Sequence, residues 1–167
     1  CSFSSGQSFV TPDLAQEIAK HIYDLLPNSS VIFLTHLPMT LADPRSRHVG
    51  HLSLRECAHL THHCTLFLGA GSGGTVAATS TAARPIPIML MLREDTAAFA
   101  SFAHDFEFFG ITDWQVLETV EQDPSALARG AATFLRDGFA QASMSLASPI
   151  KVNMTYFASY AQESIDR

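Results

Sequence analysis

The chain has 167 residues, a size that one domain accounts for at roughly 100–200 residues per domain. Apolar residues make up 47% and charged residues only 16%, which excludes general disorder, and a net charge of −6 argues against non-specific nucleic-acid binding. Three cysteines are an odd number, which speaks against a disulfide framework and suits a reducing, cytoplasmic compartment.

In chain order, Phe3 reads as the end of a strand, followed by a polar turn of Ser4, Ser5, Gly6 and Gln7. Opening on Cys1 without a Met, the chain reads as starting inside a longer protein. An acylated Cys1 is the competing reading, weakened because a helix pattern follows by Pro12 with no flexible tether. Thr11 has the character of an N-cap and Pro12 of a first helical residue, and Leu14, Ile18, Ile22, Leu25 and Leu26 recur at helical spacing. Residues 31–34 form a short buried-strand run with Thr35 and His36 at its carboxyl end. Residues 37–51 read as a loop carrying Asp43, Arg45, Arg47 and His48.

Ser53 followed by Glu56 is a capping-box pattern that opens a second helix. Strands are expected over 64–68, 86–92 and 114–120, although Glu118 sits awkwardly inside the last. Helices are expected over 75–83, within 96–104, and from Asp123-Pro124 to a stop at Gly138. Alternating strands and helices predict an α/β fold: a Rossmann-like parallel sheet of about five or six strands with helices on both faces. Residues 1–138 form this domain. Residues 139–167 are expected as a partly helical carboxyl-terminal tail that packs outside its core or against a half of the protein absent from this sequence.

The strongest chemical signal is Gly69-Ala70-Gly71-Ser72-Gly73-Gly74, between a predicted strand and a predicted helix. Glycines permit positive φ and close approach of a ligand to the backbone. The first amides of the following helix lack intrahelical partners and lie at its positive dipole end, which suits a diphosphate. The hydroxyls of Ser72 and Thr75 are candidate additional donors. The same string matches G-x-G-x-x-G through Gly69, Gly71 and Gly74, with Glu94 near the distance expected for a ribose-binding acid, so an NAD(P)-dependent oxidoreductase is an alternative. Against it, two strand–helix units precede the turn, and the helix after it is short.

Residues 51–91 resemble the carboxyl-terminal half of a GT-B glycosyltransferase, especially the family-9 heptosyltransferase type. The matching positions are Leu54, Glu56, Leu60, Leu66, Gly69, Ser72, Gly73, Ala77, Ala78, Pro85 and Ile88. The opening Ser2-Phe3-Ser4-Ser5 also looks like the first strand and loop of such a half. The turn departs from the heptosyltransferase pattern, with Gly71 in place of an Asp and Val76 in place of a His. It is similar as well to the Ser-Gly-Gly turn of UDP-sugar 2-epimerases, without their acidic pair.

The resemblance implies a nucleotide-sugar donor as substrate, no further cofactor, and a glycan or other acceptor. The donor diphosphate would be held by Gly71, Ser72, Gly73, Gly74 and Thr75. Glu94 or Asp95 would meet the ribose, and Ser4, Ser5 and Gly6 would lie across the crevice. Arg45 or Arg47 would neutralise the leaving diphosphate. The acceptor's general base would come from an amino-terminal half that is not in this sequence, so the enzyme is expected to need that half. A non-catalytic binding module is the remaining alternative. Cys57, His59, His62, His63 and Cys64 are dense enough to raise a metal site, but Cys57 falls on an apolar face and Cys64 opens a strand; a solvated histidine-rich helix end is expected instead.

Overall fold

A computed structural model describes residues 9–97 and 101–150. The first helix, α1 (Pro12–Leu25), starts where Thr11 accepts a hydrogen bond from the Leu14 amide at 3.2 Å, and Pro12 occupies its first turn. Ile18, Ala19, Ile22 and Tyr23 form its buried stripe. It is followed by β1 (Val31–Leu34) and then β2 (Ser46–Val49), which pair in parallel with Val31 opposite Ser46. Strand β2 lies inside the segment expected to be a loop. Its only large apolar residue is Val49. Polar bonds hold the rest: Ser46 Oγ lies 2.7 Å from the buried Tyr23 hydroxyl, and His48 Nε2 lies 2.8 Å from the Thr35 carbonyl.

Helix α2 (Leu54–Leu60) opens with the capping box, both reciprocal Ser53–Glu56 bonds being formed, and runs into a single 3-10 turn, Thr61–His63. Then come β3 (Phe67–Gly69), α3 (Gly73–Ala78), β4 (Ile88–Met91), α4 (Glu94–Ala97), α5 (Phe102–Phe108), β5 (Val116–Thr119), α6 (Pro124–Asp137) and α7 (Phe139–Leu146). Strands β3, β4 and β5 form a parallel sheet in that order.

All four residues of the central strand β4 are buried, as a strand covered on both faces requires. Its side chains alternate. Ile88 and Leu90 pack with Val116 toward Phe102 and Phe106 of α5. Met89 and Met91 pack with Leu117 toward Ile18 and Ile22 of α1 and Leu127 and Phe134 of α6. Helices therefore cover both faces. Full burial of each such side chain contributes roughly 1.5–3 kcal/mol.

The fold is α/β with parallel strands, but the described residues form sheets of two and three strands in place of the single sheet of five or six that the alternation predicts. The two sheets are kept apart by a cleft of about 430 Å³ whose walls include Ile32 and Phe33 of β1 and Leu66 and Phe67 at β3. The described part of the tail also differs from expectation. Helix α7 places Ala142 in the core, and Leu146 lies so close to Gly130 of α6 that a Cβ there would collide with it. Beyond α7, the Ser148 amide donates to the Glu118 carbonyl at 2.9 Å. Residues 151–167, and the expected strand end and turn at Phe3, Ser4, Ser5 and Gly6, lie outside the described residues.

Candidate functional site at the carboxyl end of β3

The glycine turn sits where expected, after the carboxyl end of β3 and at the start of α3. Its glycines do different jobs. A Cβ on Gly69 would run into the Phe67 ring, so Gly69 is there for packing. A Cβ on Gly73 would have nothing within 4 Å, and one on Gly74 would meet only Ser72 Oγ at 3.7 Å. Neither Gly69, Gly71, Gly73 nor Gly74 has positive φ; among the described residues only Gly110 and Gly138 do. The turn thus uses the small size of glycine and leaves open space over the first residues of α3.

Thr75 is fully buried, and its hydroxyl donates to the Ala70 carbonyl, bracing the turn from inside. It is not turned toward a ligand. The Thr75 and Val76 amides both bond to the Ser72 carbonyl, at 3.0 and 3.2 Å. The Gly73 and Gly74 amides, first in α3, have no carbonyl one turn back to meet. Ser72 occupies the N-cap position without capping: its hydroxyl is buried and has no hydrogen-bond partner. Leaving a buried hydroxyl unpaired costs on the order of 1–3 kcal/mol, which an acceptor reaching the turn would recover.

On the neighbouring strand, β4 runs out to Arg93 and to Glu94, the exposed first residue of α4. Arg93 grips Asp95 with a two-bond fork of 2.9 and 2.6 Å. Glu94 and Asp95 therefore stand at the same strand ends as the glycine turn, with Asp95 engaged by a guanidinium.

Arg45 and Arg47 are not brought to this place. Arg45 directly precedes β2, at that strand's amino end, where it forks onto Asp43 at 2.9 and 2.7 Å and lies 4.1 Å over the Tyr23 ring. Its guanidinium holds the Asp43 carboxyl down at about 2, chiefly through the side-chain hydrogen bonds. Arg47 lies in β2 and donates to the Pro44 and Ser46 carbonyls. Both side chains are thus engaged around β2 and the turn before it, Arg45 on Asp43 and Tyr23 and Arg47 on the Pro44 and Ser46 carbonyls.

Two further clusters belong to the frame. His59 and His62 stack at 5.8 Å, and His62 Nε2 meets the Ala82 carbonyl at 3.2 Å; among the described residues no group of three or more ligating side chains is placed to hold a metal. Glu118, on β5, is 6% exposed. It accepts hydrogen bonds from the Ser101 hydroxyl at 2.8 Å and from the Phe102 and Ala103 amides at 2.7 and 3.2 Å, so it caps α5. Burial pushes its carboxyl above the ordinary value, outweighing these bonds, and nearby Asp105 adds to the rise. The one sign of it in the sequence is an acid within the apolar run Val116-Leu117-Glu118. Among the described residues no helix is long and apolar enough to cross a membrane.

Comparison with family models, with curated proteins and with solved structures returned no match to this chain.

Proposed function

We propose that this chain is the donor-binding half of a GT-B-type glycosyltransferase, holding the diphosphate of a nucleotide sugar at the glycine turn and completing transfer to an acceptor together with an amino-terminal half. The observation that carries this reading is the opening of α3: two leading glycine amides under open space beside a buried, unpartnered Ser72 hydroxyl, at the carboxyl end of a parallel strand. These groups supply N–H and O–H donors without a charged side chain. Such donors favour the diphosphate more as the glycosidic bond breaks and negative charge grows on it, which is how they accelerate transfer.

In this reading Gly73, Gly74 and Ser72 contact the diphosphate, Gly71 shapes the approach, and Thr75 braces the turn through Ala70. Glu94 accepts from ribose hydroxyls, while Asp95 steadies Arg93 beside it. The acceptor and its general base belong to the other half. A reducing, cytoplasmic setting fits Cys57 and Cys64, both of which are free thiols.

Titration calorimetry with UDP, ADP, GDP, NADH and NADPH tests the reading. Preferential binding of a nucleoside diphosphate supports it. A strong preference for NADH or NADPH would make the turn a dinucleotide site, and binding of none of the five would make the chain a non-catalytic module.

A further inference from the structure

Helix α5 carries more aromatic surface than the core covers. Phe102 and Phe106 pack with Ile88, Leu90 and Val116. Phe108 and Phe109 are left 72% and 70% exposed, and Ile111 just beyond them is 40% exposed. The Phe108 and Phe109 rings meet edge to face at 5.1 Å, and His104 stacks on Phe108 at 6.3 Å. Single exposed apolar residues are ordinary, whereas a contiguous exposed group marks an interaction site.

The backbone that displays these rings is locked. Gly110 has a φ of 65°, and α5 closes in a Schellman motif. The Ile111 amide donates to the Phe106 carbonyl at 2.8 Å, and the Gly110 amide to the Glu107 carbonyl at 3.2 Å. A partner therefore meets an ordered surface and bears less of the entropy cost of binding.

Charge selects the occupant. Asp105 and Glu107 of the same helix are exposed, as is Asp113 in the loop that follows. Between Arg93 and Arg129 the sequence contains no lysine or arginine. A second copy would set acid against acid, and a nucleic acid or an anionic membrane would meet like charge. A basic segment is attracted instead, and its cations are also favoured over phenylalanine faces.

We propose that the end of α5 and the loop leading to β5 form a docking surface for a basic amphipathic segment of a partner protein. Its apolar side chains cover Phe108, Phe109 and Ile111, and its lysines or arginines pair with Asp105, Glu107 and Asp113. This loop enters the amino end of β5, whereas the glycine turn follows the carboxyl end of β3 in the same parallel sheet. The two surfaces thus lie at opposite ends of the strands, and docking does not depend on the nucleotide reading.

Trp114, the one tryptophan of the chain, lies in this loop and packs in the same cluster as Phe106, so its fluorescence reports on the surface itself. A synthetic leucine–lysine amphipathic helix without tryptophan, titrated into the full chain, should change that fluorescence saturably. Its leucine–glutamate counterpart should not. Phe108→Ser with Phe109→Ser removes exposed rings, so circular dichroism should stay that of the parent while the lysine peptide binds at least about tenfold more weakly. Glu107→Lys with Asp113→Lys should weaken it to a similar degree, and decides the matter should the first pair fail to fold. Parent-like affinity in either folded double variant, or no binding to the parent, would overturn the proposal. A parent dimer in analytical ultracentrifugation that Phe108→Ser with Phe109→Ser dissolves would also overturn it, assigning the surface to a second copy. Binding of the parent to phosphatidylcholine vesicles that the same variant abolishes would overturn it in favour of a membrane.

Discussion

The Thr75 hydroxyl donates to the Ala70 carbonyl across the glycine turn, inside a region where Thr75 is wholly buried and Ala70 only 1% exposed. This bond spans the residues that lead from β3 into α3 and keeps the turn in one shape whether or not anything occupies it. Thr75→Val keeps the volume of the side chain and removes the donor. The buried Ala70 carbonyl then loses that partner, at a cost of about 1–3 kcal/mol. We expect a lower melting temperature for Thr75→Val by calorimetry, and recovery in Thr75→Ser, which restores the hydroxyl.

Glu118 makes stability depend on pH with a definite sign. Its carboxyl is raised above 4.5 in the folded chain, so between 4.5 and the raised value the folded state holds more protons than the unfolded one. The contribution of Glu118 is therefore fullest below 4.5 and declines as pH rises through the folded value. Glu118→Gln retains an acceptor for the Phe102 and Ala103 amides and cannot titrate. Denaturant melts across pH 4 to 8 should show the decline in the parent chain and a flatter profile in Glu118→Gln.

The placement of Arg45 separates structural from ligand-binding cations. With its guanidinium on Asp43 and over Tyr23, Arg45→Ala should loosen β2 yet leave nucleotide affinity within about twofold of the parent, an interval well under the 1.4 kcal/mol of a tenfold change. Calorimetric titration of the folded variant checks this. A tenfold or larger loss of affinity would place Arg45 at the ligand.

Local signals in the sequence were strong where single residues decide backbone geometry. Thr11-Pro12, the Ser53–Glu56 box and Asp123-Pro124 mark the starts of α1, α2 and α6, and the apolar run about Ile88 marks a strand covered on both faces. Strand β2 escaped notice because Tyr23 and Thr35, remote in sequence, satisfy Ser46 and His48; no local periodicity records such partners. The division into two sheets was equally hidden, since strand-forming residues do not specify which neighbour a strand pairs with. The turn itself was legible as four glycines, but their separate roles were not. Phe67 decides the need for Gly69, and the empty space above Gly73 exists only in three dimensions. Ser4, Ser5 and Gly6 remain candidates outside the described residues.

The central claim is that the open space over Gly73 receives a diphosphate. Gly73→Val tests it most directly, because the new side chain enters space free of protein atoms and the residue does not need positive φ. The variant should therefore fold, with circular dichroism like that of the parent. Its branched methyls should block approach to the Gly73 and Gly74 amides, and losing two charge-assisted hydrogen bonds of about 1.5–3 kcal/mol each weakens binding at least about 100-fold. Affinity for the best-bound of UDP, ADP and GDP, measured by titration calorimetry on folded Gly73→Val, is the deciding quantity. The account predicts that loss of at least about 100-fold; a folded Gly73→Val that binds the nucleotide as tightly as the parent would contradict it.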